Sequence, residues 1–521
     1  MTFDVIPYSV DNLIRCFVSG SLNLNTVEGV GEKLHLDYFT EYFNELGAQT
    51  ILAEHDYIDR DYLEDYAAYY DRCFQDYSRR TQRLHFFSVA FTSADFEACL
   101  LGEPLQIVEA ELRRSYLGFV VVKPLPQSFV GRTCLVTYPD DGGRRHFPSL
   151  RTYDVHLFGL NLEVRSLAYQ EQDHVVAACA TSAIWSCLQG TGKLFQHIIP
   201  PPVKITRWAS ELMPADVTRA GTRAFPNYGL TSSQMAYAIK KVGLDPMVVG
   251  TPNRYVLNGV VYAFLRGKIP CVMICQLKSH SQGRAPRSEG FHAIAMTGYS
   301  LADGNPIGAE EVEGLQLRAT RIDKFYGHDD QVGPFARMVW PALSADVRLE
   351  DSTELLTSWR GDVRAEMEFI MLPIYHKIRV PYAEIHDLIL TADKYLEAVR
   401  DHFEVERAEW DIYLTTASDY KTAVRDEYPA LGFDLRDSLY RALPRFLWRA
   451  SLIVGGEMQA DFLFDATGIA THELLVYMVM KEGAYADMFR AVAVLNAQGD
   501  LRPKQHVKSI LERIYAAPLA G

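Results

Sequence analysis

Three residues far apart in the chain have the types and surroundings for nucleophilic chemistry: Cys179, His292 and Asp329. Cys179 stands in "VVAACATSAIWSCLQG", where an apolar run gives way to helical spacing through Ile184, Trp185 and Leu188. A cysteine attacks as its thiolate, and a helix N-terminus and a nearby histidine both favour the ionised sulfur. The histidine must then carry the proton to the leaving group, and an acidic or amide side chain must hold the imidazole in place. His292 opens the strand "HAIAMTGY" behind the polar loop "KSHSQGRAPRSEG", and Asp329 closes the strand in "RIDKFYGHDDQVGP". Neighbouring strand ends can bring His292 and Asp329 side by side, with the cysteine's helix end opposite them. Acyl transfer through a thioester needs that arrangement. Asp330 competes with Asp329 for the orienting role, and alternation from Tyr326 through His328 favours Asp329 at the strand end.

The elements that must position these residues form a coherent α/β unit over residues 151–345. It begins with a strand, "VHLFGLNLEV", followed by a loop and the Cys179 helix. Next come a helix near "ITRWASEL", a polar Gly/Pro/Asn loop, and the helix "TSSQMAYAIKKVG", with Thr231 as N-cap and Gly243 as C-cap. The helix "NGVVYAFLRGK" then leads into the strands "PCVMICQL", "FHAIAMTGY" and "ATRIDKFYGH". Cys187, eight residues beyond Cys179 on the same helix, reads as core, as do Cys271 and Cys275 in a buried strand. The loop "KSHSQGRAPRSEG" has the polarity and length of a lid or of a plain surface loop, and His174 and His280 read as solvated loop residues.

Residues 1–150 read as an α/β region in which "DYLEDYAAYYDRCFQDY" sets a row of tyrosines on one packed helical face. "YLGFVVVKPLP" and "RTCLVTYP" are its clearest strands. Residues 346–521 read as mainly helical, with amphipathic stretches at 382–402 and 470–495 and a hairpin in "RASLIVGGEMQADFLFDATG".

Taken together, "CATSAIW", "GLTSSQMAYAIKKVGL", "LRGKIPCVMICQL", "GFHAIAMTGY" and "FYGHDDQVGP" resemble the successive blocks of papain-like cysteine peptidases. The closest branch is the bacterial one that includes the bacteriocin (double-glycine leader) processing peptidases. The resemblance covers only the middle of the chain and implies an α+β fold, a cysteine-bearing central helix packed on an antiparallel sheet. It also implies Cys179 as nucleophile, His292 as general acid/base and Asp329 as the group that orients it, with no cofactor and no metal. The family's oxyanion-hole glutamine stands six positions before the cysteine, where this chain has Asp173. Gln172, one residue earlier, is the expected replacement, because an amide donates to the tetrahedral oxyanion whereas a carboxylate repels it.

Bulk composition narrows the function further. A chain of 521 residues exceeds one hydrophobic core, and a formal charge of −14 argues against a nucleic-acid partner. No apolar run approaches the roughly 18–20 residues of a bilayer span, and the acidic N-terminus "MTFDVIPYSVDN" lacks the basic start of a secretory signal. Eight cysteines without a CxxC pair or zinc spacing point to free thiols in a reducing, cytoplasmic setting. The expectation is a cytoplasmic thiol peptidase acting on a protein or peptide, with the N- or C-terminal region available to a partner protein. The competing functions are transglutaminase-like or arylamine-acetyltransferase-like amide transfer on the same three residues, and an inactive interaction protein that keeps the fold. His328 with the two aspartates offers a weaker, metal-binding reading.

Overall fold

In the N-terminal region five strands form a wholly antiparallel sheet in sequence order: Phe3–Pro7, Thr50–Tyr57, Thr81–Phe87, Tyr116–Val122 and Val130–Leu135. The last two are the strands expected from their apolar runs. Helices Val10–Gly20 and Leu34–Glu45 cover one face through Leu13, Phe17, Phe39 and Phe43, all fully buried. The computed structural model describes residues 2–103, 108–173, 175–176, 178–212, 229–304, 314–342, 351–431, 435–469, 474–503 and 505–516. Most of the polar loop after "ITRWASEL", and His174, lie outside the described residues.

The expected tyrosine helix is shorter than its periodicity suggests. It runs Arg60–Ala68 and gives way to a tight turn at Tyr70–Arg72, so Tyr62 and Tyr70 are buried while Phe74 is fully exposed. The expected single strand at 155–164 is a hairpin of Arg151–Leu157 and Leu160–Ser166. Its turn is Phe158-Gly159, both in the left-handed region, with φ of 48° and 96°.

The middle of the chain is built on one antiparallel sheet. Strands Cys271–Ser279, Arg287–Leu301, Ile322–Asp329, Gly333–Val339, Glu354–Leu356 and Val363–Ile374 pair in succession, and the last pairs back onto the first. The sheet therefore closes on itself and runs past the expected boundary at 345, because its closing strand lies at 363–374. Helix Cys179–Phe195 packs on this sheet and is buried on nearly every side, from Ala180 and Ile184 to Trp185, Cys187 and Leu188. Its C-cap, Gln196, turns left-handed at φ 58° ahead of "PPP". Thr231 and Gln234 form the capping box of helix Ser232–Val242, and Gly243 ends it at φ 95°. Gly327 allows strand 322–329 to close on its neighbour: a Cβ there would stand 2.6 Å from Cγ2 of Ile294.

In the C-terminal region helices outweigh strands, but the sheet is larger than the one hairpin expected there. Four strands, Glu409–Thr416, Phe446–Val454, Glu457–Asp465 and Leu475–Met480, form an antiparallel meander flanked by helices. The hairpin in "LIVGGEMQ" is present, turning at Gly455-Gly456 with φ of 57° and 85°. The stretch 470–495 divides into strand Leu475–Met480 and helix Ala484–Gln498, whereas 382–402 is helical as expected, in Tyr382–Phe403. The whole is a mixed α and β protein with antiparallel sheets.

Candidate active site

Helix Cys179–Phe195 begins at the cysteine itself. Its N-cap, Ala178, is extended and supplies no capping side chain, so the half-buried Cys179 sits among first-turn N–H groups that no side chain among the described residues caps. Opposite it, His292 lies on strand Arg287–Leu301. That strand begins five residues earlier than expected, because Ser279 pairs with Arg287 and shortens the polar loop to residues 280–286. His280, expected in solvent, is half-buried there, 3.5 Å from Glu354. His292 is 7 % exposed. Its register partner Cys275 is buried beneath it, with Sγ 3.8 Å from the His292 carbonyl oxygen.

The imidazole is held from both sides. His292 Nε2 donates to Asp329 Oδ1 at 2.9 Å and lies 3.6 Å from Asp330 Oδ1. The Cys179 side chain is close enough to act on the ring as well. With Nε2 taken by the carboxylates, Nδ1 is the atom left to face the sulfur. Burial alone would push His292 down, but the charge and hydrogen bond of Asp329, the Cys179 side chain and the charge of Asp330 carry it well above the usual histidine range.

The two aspartates have different surroundings. Burial pushes Asp329 up, yet His292, Trp359 and Gln331 together hold it below the usual carboxylate range. Trp359 Nε1 donates to Asp329 Oδ2 at 2.8 Å, and the Gln331 backbone N–H donates to Oδ1 at 3.1 Å. Asp330 Oδ2 accepts from the Gln331 side-chain amide at 3.1 Å, and its Oδ1 has no hydrogen-bond partner among the described residues. Burial, opposed by His292 and reinforced by the charge of Asp329, raises it to about 7. One carboxyl of the pair is thus ionised and paired, and the other keeps its proton into the neutral range.

A folded-state value raised above the unfolded one means that the native protein holds this proton more tightly. The stabilisation is complete below the unfolded aspartate range and is lost as pH rises toward 7. Asp330→Asn is therefore expected to flatten the decline in stability between pH 4 and pH 7. Urea midpoints of the two proteins across that range check it.

Trp359 was not visible as a site residue in the sequence; it lies in "TSWRGD", between strands, and its only signal is an aromatic ring in a polar loop. Its ring stands edge-on to the imidazole, with centroids 5.8 Å apart at 84°. Trp359→Phe keeps a ring there and removes the donor to a buried ionised carboxylate. The expected loss of stability is about 1–3 kcal/mol, read from denaturant unfolding.

His328 plays no part in this cluster. Its Nε2 donates to the Leu167 carbonyl at 2.9 Å, its Nδ1 accepts from Phe335 N–H at 3.1 Å, and burial pushes it down to about 3. The metal reading therefore shifts to His292, Asp329 and Asp330, whose ligand atoms lie within 4.8 Å of one another. Both Asp329 oxygens and His292 Nε2 are already engaged with each other, Trp359 and Gln331, so a cation there would have to displace those bonds.

Upstream of the cysteine, Asp173 is turned to its own loop. Oδ1 accepts from the backbone N–H of Val175 at 2.8 Å and Val176 at 3.3 Å, and Oδ2 accepts from Tyr70 OH. Gln172 is half-buried and makes no side-chain hydrogen bond among the described residues, so its amide is uncommitted. Cys187, Cys271 and Cys275 are buried core thiols, as expected. No protein-family model matches this chain, and no curated protein matches it.

Proposed function

We propose that this chain is a papain-like cysteine peptidase that cleaves a peptide or isopeptide bond through a Cys179 thioester. The observation that supports the reading best is the meeting of Cys179, His292 and Asp329, from a helix start and two neighbouring strands, around one imidazole. In this reading His292 takes the thiol proton and the sulfur attacks the substrate carbonyl. The oxyanion meets the Cys179 backbone N–H and the Gln172 amide. His292 returns the proton to the departing amine, and the C–N bond breaks. Water, deprotonated by His292, then attacks the thioester and releases the acid and the free thiol. Asp329, fixed by Trp359 and Gln331, keeps the ring oriented and supports its positive charge throughout.

The eight free cysteines suit a reducing compartment, and the N- and C-terminal regions are the natural places for substrate selection. An acetyl donor such as p-nitrophenyl acetate tests the reading by peptide-resolved mass spectrometry. The expected result is an acetyl group on Cys179, lost to hydroxylamine and absent in Cys179→Ala. No adduct on Cys179 would count against it. Faster turnover into an amide when a primary amine is added would move the assignment from hydrolysis to amide transfer.

A further inference from the structure

The residue that breaks the family pattern, Asp173, stands next to Gln172 on the loop into the cysteine helix. A carboxylate free to turn toward the reacting carbonyl would oppose the oxyanion. Both carboxylate oxygens of Asp173 are nevertheless engaged. The side chain is 6 % exposed, Oδ1 binds two backbone N–H groups of its own loop, and Oδ2 takes the hydroxyl of Tyr70.

Tyr70 comes from the N-terminal region, 103 residues earlier. It is buried with Tyr62, Leu125 and Val203, and Val176 of the cysteine loop inserts into the same cluster. Tyr77 packs edge-on against it at 5.4 Å. Asp65, on the adjacent helix, accepts the Val203 N–H at 3.1 Å, and burial, then the charge of Asp173, push its carboxyl well above the usual range. The tyrosine cluster is thus a rigid mount for one end of the loop that leads to Cys179.

We infer that Tyr70 is a positioning residue: its hydroxyl latches the Asp173 carboxylate away from the oxyanion position, so the N-terminal region sets the acylation competence of Cys179. The inference rests on the reading of Cys179 as a nucleophile. It also assigns a role to the N-terminal region, which becomes the element that holds the approach to the thiol.

The test compares two reactions of the same sulfur in the full-length protein. Acetylation by p-nitrophenyl acetate passes through an oxyanion; alkylation by iodoacetamide does not. Tyr70→Phe keeps the ring in its cluster and removes only the hydroxyl. Acetylation of Cys179 is expected to fall about tenfold or more, while alkylation stays near the wild-type rate. Adding Asp173→Asn to Tyr70→Phe is expected to restore acetylation, since a neutral amide released from the latch does not repel the oxyanion. Equal acetylation in wild type and Tyr70→Phe, an equal loss in both reactions, or a double variant no faster than Tyr70→Phe would each overturn the latch. Alkylation of Cys179 that ignores His292→Ala would instead overturn the nucleophile reading, and the latch with it.

Discussion

Asp329→Ala is expected to slow acetylation of Cys179 by about 10²–10⁴-fold, whereas Asp330→Asn is expected to leave it close to wild type. The asymmetry follows from what each carboxyl receives. Asp329 is bound by His292, the Trp359 indole and the Gln331 backbone, and these donors keep it ionised in a site that otherwise favours the neutral acid. Without it, the burial of His292 would be opposed by the Cys179 side chain and then by Asp330, which holds its own proton up to about 7. The imidazole would lose its orientation and much of its affinity for the thiol proton. Burst kinetics of the two variants measure the difference, and a larger loss in Asp330→Asn would transfer the orienting role to that residue.

Much of the candidate site was legible because its signals are local. A cysteine at the start of a helical pattern, a histidine behind a polar loop and an aspartate at a strand end are each readable within ten residues. Strand alternation favoured Asp329 over Asp330, but the physical reason the two carboxyls differ was hidden, since it depends on Trp359, which reaches the carboxylate from a loop 30 residues further on. The same distance effect hid the closure of the sheet: strand Val363–Ile374 pairs with Cys271–Ser279, and nothing in the periodicity of either names its partner. The hairpin at 151–166 was concealed because Phe158 occupies a left-handed turn position that usually favours a small or polar residue. Tyr70 read correctly as part of a packed face, but what its hydroxyl binds is a tertiary fact.

Of the C-terminal sheet only the central hairpin was legible, and the sheet carries the second large expected effect. Its strands contain Asp411, Arg449 and Asp461, residue types that suggest a solvent face yet are almost wholly buried here. Arg449 Nε donates to both Asp461 oxygens at 3.1 and 2.9 Å, while Ser451 and Tyr428 hydroxyls donate to the same carboxylate at 2.8 and 2.6 Å. Arg449 also donates to Tyr413 at 2.7 Å and to Glu427 at 2.8 Å. Asp461→Ala would leave a guanidinium that is 2 % exposed without its main counter-charge, an expected cost of about 3–5 kcal/mol. Glu427→Ala removes a partner whose side chain is 44 % exposed, and the expected cost is about 0–1 kcal/mol. Urea denaturation of the two variants separates a buried network from a surface pair.

That network lies apart from the cysteine, so Asp461 variants that remain folded should keep the reactivity of the thiol. The proposed chemistry depends on a small set of contacts around one ring: Cys179, Asp329 and Trp359.

The most direct measurement is the rate of Cys179 alkylation by iodoacetamide in wild type and in His292→Ala, resolved by peptide mass spectrometry from the half-exposed Cys73 and Cys99. The expected result is that Cys179 reacts much faster than those two in the wild type and loses about 10²-fold or more in His292→Ala. Alkylation of Cys179 at the same rate in both proteins would contradict an activated thiol and leave the fold without the chemistry proposed for it.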